Sequence, residues 1–453
     1  MLTTDLSVRQ SYARDASGLE MVPDAVARPS SEHAVVEALR DAREHGGPVT
    51  AAGGQTSTTG ASIADRGVLL SLRGLTEIGE VDRERLTVRV RAGVNLGDLK
   101  RRLAADGLLF APDPTSEDDV TIGGAIACNA SGARSLLYGA TRPHVVALRV
   151  ALADGTVHDL RRTRLEKNTV GYAPIHEPVD WFIGSEGTLG IILEAELSLL
   201  PLPATVTGLA VPFTEEADAL DFVVAARTST QVSARCLEFF DAAALAVART
   251  ADGHEQWAEG ASALVYVEQA AGVGSDVPLD EWLHLAEGFG AREDDVLVYE
   301  GEQALRDARR LRHAVPATMN ERGAKHRNAG GRKVSTDWAV PFRQLRNALA
   351  DARRFAAEAA VDQPVIYGHA GNGHPHQNFI ARDASELARI EQVVEATLRR
   401  VIALGGTVAA EHGIGKIKRR WLPLQLTPLQ LGVMRAIKCE LDPTSMLAPD
   451  NLF

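Results

Sequence analysis

The chain has 453 residues, enough for two or three domains of about 150 each. Hydrophobic residues make up 45% and charged residues 24%, which excludes a disordered, collagen-like or simple coiled-coil chain. The formal net charge of −12, with no long basic run, argues against nucleic acid as a partner.

Three cysteines, Cys128, Cys236 and Cys439, lie far apart and show neither iron–sulfur nor zinc-ribbon spacing, so reduced thiols are expected. The N-terminal residues lack a basic start, an apolar core and a cleavage signature, which predicts a cytoplasmic location, at most peripheral to a membrane. The most lipid-like stretch, 190–213, carries Glu194, Glu196, Pro201, Pro203 and Pro212, all costly in a bilayer core, so no spanning helix is expected there.

From Arg28 to about Leu202, short strands alternate with helices and glycine-rich loops. Ser30 or Ser31 can cap a helix with Val35, Val36 and Leu39 on its apolar face, ending at Gly46-Gly47. The stretch 48–51 reads as a strand entering the loop Gly53-Gly54-Gln55-Thr56-Ser57-Thr58-Thr59-Gly60. Leu86, Val88 and Val90 alternate with polar residues as a half-buried strand, and Asn95 caps a helix ending near Gly107. Residues 145–153 and 157–160 form a hairpin through Asp154-Gly155. After Pro201-Leu202-Pro203 the predicted helices are 215–227, 303–314 and 342–361, and the strands 262–268 and 364–368. A Leu-rich, helical tail follows Gly405-Gly406. These shifts of texture divide the chain into 1–205, 206–405 and 406–453.

Three glycine-rich segments carry the first signal. Glycines and hydroxyls in 53–60 allow backbone N–H groups to approach a diphosphate, although a solvated surface loop has the same composition. The segments 112–139 and 183–192 are rich in small residues, suited either to a large planar ligand or to tight packing between loops. Neither a Walker A sequence nor a GxGxxG fingerprint after a strand is present.

In this order and at these separations, the three segments resemble the FAD-binding domain of the vanillyl-alcohol-oxidase and p-cresol-methylhydroxylase flavoproteins, over roughly residues 20–205. The resemblance implies an α+β protein: a two-subdomain FAD-binding domain of the PCMH type, a C-terminal substrate domain with an antiparallel sheet covered by helices, and a helical tail. It assigns the pyrophosphate to Gly53, Gly54, Gln55, Thr56 and Ser57. The adenosine and isoalloxazine fall to Pro114, Thr115, Gly123, Gly124, Asn129, Ser131, Gly132 and Tyr138, and to Glu186, Gly187, Gly190 and Ile192. Ala52 stands where the family has Arg, and Gln55 where it has a third glycine. With no His in the first loop, non-covalent FAD is expected.

In 367–378, His369, His374 and His376 surround a Gly-Asn-Gly turn. An uninterrupted strand would send His369 and His376 to opposite faces, and the turn removes that obstacle. Downstream, Glu411 and His412 are adjacent and followed by glycines. Two imidazoles, a carboxylate and an open position form a set known for catalytic Zn²⁺, with Mn²⁺ or Fe²⁺ as alternatives.

This half resembles the C-terminal domain of FAD-linked D-2-hydroxyacid dehydrogenases, which oxidise D-lactate, D-2-hydroxyglutarate and glycolate. The resemblance implies metal ligands His369, His376 and Glu411, with His412 as base. Asn378, Arg312 and Lys333 would hold the substrate, with Arg309 and Arg310 as neighbours competing for the Arg312 role. The family's HxGDGNxH reads HAGNGHPH here, Ala409-Ala410 replaces Ser-Gly before Glu411, and the final Leu-Asn-Pro-Gly-Lys becomes Leu447-Ala448-Pro449-Asp450-Asn451.

The expected reaction is oxidation of a D-2-hydroxy acid to the 2-oxo acid by metal-assisted hydride transfer to flavin N5. The partners are a small 2-hydroxy acid and an electron acceptor: a quinone, a cytochrome, an electron-transfer flavoprotein or an iron–sulfur subunit. A homodimer is compatible with the sequence. An oxidase returning electrons to O₂ shares these motifs, a flavin subunit of a multi-subunit electron-transfer complex is an alternative because the chain has no cluster ligands of its own, an alkyl-transfer enzyme shares the fold, and the clustered His, Glu, Arg and Lys speak against an FAD-holding protein without turnover.

Overall fold

A computed structural model describes residues 2–163, 165–172, 175–253 and 256–453. The chain forms two compact units. The first takes the chain up to Gly132, then Gly139–Leu202 and Glu411–Phe453; the second takes Ala133–Tyr138 and Pro203–Ala410.

The first unit contains two main sheets. The smaller pairs Ala25–Ala27 and Val49–Ala52 in parallel on either side of Val68–Ser71, with Leu2–Thr3 antiparallel at one edge. The other is five-stranded and antiparallel, with Ile191–Ser198 between Thr87–Arg91 and Val145–Ala151. Local signals read from the sequence hold. Ser31, rather than Ser30, caps Glu32–Glu44 by accepting from Ala34 N, and Asn95 caps Leu96–Ala105 through Asp98 N. Val145–Ala151 and Val157–Arg161 form the expected hairpin. Val90, Leu99, Leu103, Leu148 and Leu197 meet in one core. The lipid-like stretch forms Ile191–Ser198, Leu200–Pro201 and Thr205–Phe213, three strands in different sheets. Among the described residues no helix is long and apolar enough to cross a membrane.

The second unit is built on a seven-stranded antiparallel sheet in which Cys236–Asp241 and Val365–His369 are central neighbours. Helices Ala242–Asp252 and Gly301–Ala324 pack on one face around Phe240, Leu264, Leu311 and Tyr367. Gly301–Ala324 runs well beyond the expected 303–314, through Pro316. Val315, Met319 and Gly323 continue its buried stripe, and that burial outweighs the backbone hydrogen bond the proline forfeits. The expected helix 342–361 opens with a single 3₁₀ turn and is α-helical only over Leu345–Glu358. The tail is irregular from 407 to 418 and helical only from Arg419 onward, because its glycines and Glu411-His412 serve a loop.

Candidate active site

In the first unit all three glycine-rich segments line one groove of about 600 Å³, a size typical of ligand sites. Gly53, Gly54, Gln55, Thr56 and Ser57 contribute one wall. Pro114, Thr115, Gly123, Gly124 and Ser131 contribute a second, and Glu186, Gly187, Gly190 and Ile192 a third. Three residues expected here are not among those lining the groove. Asn129 ends the helix Ile122–Cys128 at φ +51°, and its Oδ1 accepts from Arg142 N. Gly132 packs on the backbone of Asp113. Tyr138 belongs to the second unit.

The groove's glycines answer mainly to neighbouring backbone. A Cβ on Gly54 would overlap the carbonyl of Asp119, and one on Gly53 the hydroxyl of Thr121. Tight packing between loops therefore shapes the cradle, leaving backbone and hydroxyls on its surface. Gln55 stands at φ +55°, and its amide donates to Tyr12 O at 2.9 Å, so the residue in the third-glycine position pins the loop to an N-terminal segment. The fit to a dinucleotide is one of size and surface chemistry: a groove lined by glycine backbone and by the hydroxyl residues Thr56, Ser57, Thr115 and Ser131.

Glu411 and His412 line the same groove. They are held there by Glu186, whose buried carboxylate accepts from Ile414 N at 2.6 Å and Gly415 N at 2.7 Å. Burial pushes the Glu186 carboxyl above its usual range, against the opposing effect of these two N–H donors. Gly413, at φ +73°, passes so close to that carboxylate that a Cβ would press on it. Glu186 itself sits at φ +51°, a strained conformation for a side-chain-bearing residue, costing about 1–3 kcal/mol. His412 Nε2 is 3.3 Å from Glu411 Oε1 and its side chain is 30% exposed, so the imidazole reaches the groove while keeping a carboxylate beside it. Cys128 is another groove residue, and burial pushes its thiol up to about 12.

In the second unit the hairpin expected around the Gly-Asn-Gly turn forms from Val365–His369 and His374–Asp383. His369 pairs with His374 and Tyr367 with His376, which brings all three imidazoles to one face. Ring centroids lie 5.2 Å apart for His369 and His374, 5.4 Å for His369 and His376, and 4.7 Å for His374 and His376. Glu238, on the neighbouring strand, ties this cluster down. Its Oε1 is 2.6 Å from His369 Nδ1, and its Oε2 accepts from Arg312 Nε at 2.6 Å. Burial alone would raise the Glu238 carboxyl, but the charges of His369 and Arg312 outweigh it and bring the pKa to about 2.

Arg312 Nη2 also lies 3.0 Å from His369 Nε2, whereas Arg310 pairs with Asp307 near the surface. Of these two arginines, Arg312 is the one bonded to the hairpin. Lys333 shares the face with His376 and Asn378 by strand register. Its Nζ donates to Asn320 Oδ1 at 2.9 Å, and burial lowers its pKa to about 8. Asn378 is 1% exposed, and its Oδ1 has no hydrogen-bond partner.

Glu238, Asp337 and Glu186 are contributors whose contacts the sequence did not reveal. The local signal for them was the presence of acidic residues inside apolar strands or glycine loops. One ring nitrogen from each of the three hairpin histidines lies within 4.8 Å of the others, a spacing that fits a nitrogen-preferring divalent cation.

A groove built from three glycine-rich loops, with a Glu-His pair on its wall, defines a dinucleotide-binding oxidoreductase site, and comparison with known proteins specifies it. Residues 23–161 match the FAD binding domain family, and 202–452 match the C-terminal domain of FAD linked oxidases. The chain belongs to the FAD-linked oxidases and is an FAD-dependent oxidoreductase. It is 31% identical to glycolate oxidase subunit GlcD of Bacillus subtilis, over 98% of this chain and 92% of that protein. It is 31% identical to D-lactate dehydrogenase of Archaeoglobus fulgidus, over 94% and 90% respectively. It is 32% identical to D-2-hydroxyglutarate dehydrogenase of Xanthomonas citri pv. viticola, over 95% and 89%. A solved alkyldihydroxyacetonephosphate synthase shares the fold, with a TM-score of 0.72, 17% identity, and coverage of 99% of this chain and 82% of that one.

Proposed function

We propose that the protein oxidises a D-2-hydroxy acid, of the D-lactate, glycolate or D-2-hydroxyglutarate kind, to the 2-oxo acid. The main support is that His412 and Glu411 line the groove made by the three FAD-type loops. FAD bound there supplies the two-electron acceptor. The family resemblance carries over His369, His376 and Glu411 as the residues that would hold a divalent cation, Zn²⁺ or Mn²⁺, which would acidify the substrate hydroxyl.

The remaining work falls to side chains of this chain. His412 takes the hydroxyl proton, a task suited to imidazole near neutral pH. Arg312 and Lys333 hold the substrate carboxylate by charge-assisted hydrogen bonds, and Asn378 supplies a neutral one. Glu238 keeps Arg312 oriented, so that the acid is bound in a single pose. Electrons then pass to a separate acceptor: a quinone, a cytochrome, an electron-transfer flavoprotein or an iron–sulfur protein. The protein works in the cytoplasm or at a membrane surface.

The test replaces His412 with Asn. FAD should remain bound, while anaerobic flavin bleaching by D-lactate, glycolate or D-2-hydroxyglutarate slows at least about a hundredfold, the low end of general-base effects. Bleaching at the native rate would reject His412 as base. Absence of bleaching by any such acid in the native protein would reject the substrate class.

A further inference from the structure

We infer that the hairpin of the second unit holds its divalent cation with three imidazoles, His369, His374 and His376, and that His374, a residue the family pattern does not supply, is a ligand. The inference rests on the metal part of the function proposed above and changes its ligand set. It begins from register. Pairing of His369 with His374, together with the two-residue alternation to His376, puts three imidazoles on one face of a two-stranded hairpin without help from any other element.

The cluster has the features of a built site. All three histidines are at most 5% exposed, and their ligand-capable nitrogens lie within 4.8 Å of one another. Three buried imidazoles gathered this closely are an uncommon arrangement for packing alone, because each carries polar nitrogens that need partners. His374 states the problem most clearly. Its Nε2 is 3.1 Å from Asp337 Oδ1, yet it is out of line for a hydrogen bond and has no other partner. A cation would use that lone pair.

The surroundings also suit ligation. Metal-binding histidines commonly give their second ring N–H to a carboxylate, which fixes the tautomer and raises ligand basicity. His369 Nδ1 meets Glu238 Oε1 at 2.6 Å, leaving Nε2 as the ligating atom. Arg312 Nη2 approaches that atom at 3.0 Å and would give way to a cation while keeping its Nε bond to Glu238. Asp337 beside His374 adds a negative charge that compensates the cation. Three neutral nitrogen ligands favour Zn²⁺, Co²⁺ or Ni²⁺ over the oxygen-seeking Mg²⁺ and Ca²⁺. On this account Glu411 is dispensable for retention of the ion.

The experiment uses the full-length flavoprotein, stripped with a chelator and reloaded with Zn²⁺. Bound zinc is measured by elemental mass spectrometry, and affinity by competition with a chromophoric chelator; the flavin spectrum and thermal midpoint report folding. His374→Asn, which restores the family's residue, should weaken zinc affinity at least tenfold, about 1.4 kcal/mol. Glu411→Gln should retain one zinc per chain with native-like affinity. Native affinity in His374→Asn, or loss of zinc in Glu411→Gln with His374→Asn unaffected, would overturn the three-imidazole set in favour of His369, His376 and Glu411. If the native protein binds no zinc at all, the site itself is rejected, while bleaching by hydroxy acids separately decides the oxidoreductase reading.

Discussion

In the first unit the ligand groove is walled by backbone. Gly53 and Gly54 lie against the hydroxyl of Thr121 and the carbonyl of Asp119, and Glu186 ties a loop through two main-chain N–H groups. In the second unit the sheet is organised by ionised side chains buried among apolar strands: Glu238 holds His369 and Arg312, and Glu268 holds Arg134 and Arg235. A backbone-lined groove can grip a large cofactor through many weak, distributed contacts. A buried charge network concentrates its energy in a few pairs, each costly to break. The two regions should therefore fail differently.

The largest effect is expected where a buried charge loses its partner. Glu238→Ala strands Arg312 in the interior and should lower unfolding stability by about 3–5 kcal/mol in a denaturant titration. A loss below about 1 kcal/mol would mean that solvent reaches the network. Because the Glu238 pKa is lowered from 4.5 to about 2, its contribution is fully present above pH 4.5 and is lost as pH falls through 2. Glu238→Gln should flatten that acid limb of the stability curve.

Next comes the groove. Gly54→Ala forces a methyl into the Asp119 carbonyl and should cost about 1–3 kcal/mol, with FAD content falling in parallel. Gly432→Ala, in the helix Pro428–Leu441 with no neighbour within 4 Å, should instead be neutral or stabilising by up to about 1 kcal/mol. Equal losses in the two variants would remove close packing as the reason for the loop glycine.

A smaller effect sharpens the role of Lys333. With its pKa lowered to about 8 by burial, the ammonium is lost as pH rises through that value, and KM for the acid should climb by about tenfold per unit beyond it. Lys333→Gln should raise KM at neutral pH and abolish that climb. The smallest effect belongs to Glu186→Gln, which retains one acceptor oxygen but turns an amide NH₂ toward a backbone N–H. It should cost about 1 kcal/mol in stability, with a modest fall in bleaching rate as the Glu411-His412 loop loosens.

What the sequence made legible was local. Helix caps at Ser31 and Asn95, the Asp154-Gly155 hairpin and the turn between His369 and His376 each depend on residues within a few positions of one another. The three glycine-rich segments were recognisable because their order and composition persist whatever the packing. Tertiary choices were harder to see. Glu238 meets His369 across 131 positions, and Ile414 meets Glu186 across 228, separations at which no periodicity acts. The helix expected over 303–314 was prolonged to Ala324 by the burial of Val315, Met319 and Gly323, which no local pattern announced. His374 looked like a departure from a pattern until strand register put it beside His369.

Val49 in the first unit is bridged in parallel by Leu447: Val49 N donates to Met446 O at 2.9 Å, and Ala448 N to Val49 O at 2.7 Å. A nascent chain leaving the ribosome therefore cannot complete this unit when residues 1–202 emerge, because the Leu447 segment and the groove residues Glu411 and His412 are still to come. The closing segment follows only after the second unit has been translated, a delay of tens of seconds at about 5–20 residues per second. Completion of the first unit is thus a late event in biogenesis, and until then the core residues that await Met446 and Leu447 depend on whatever shields them.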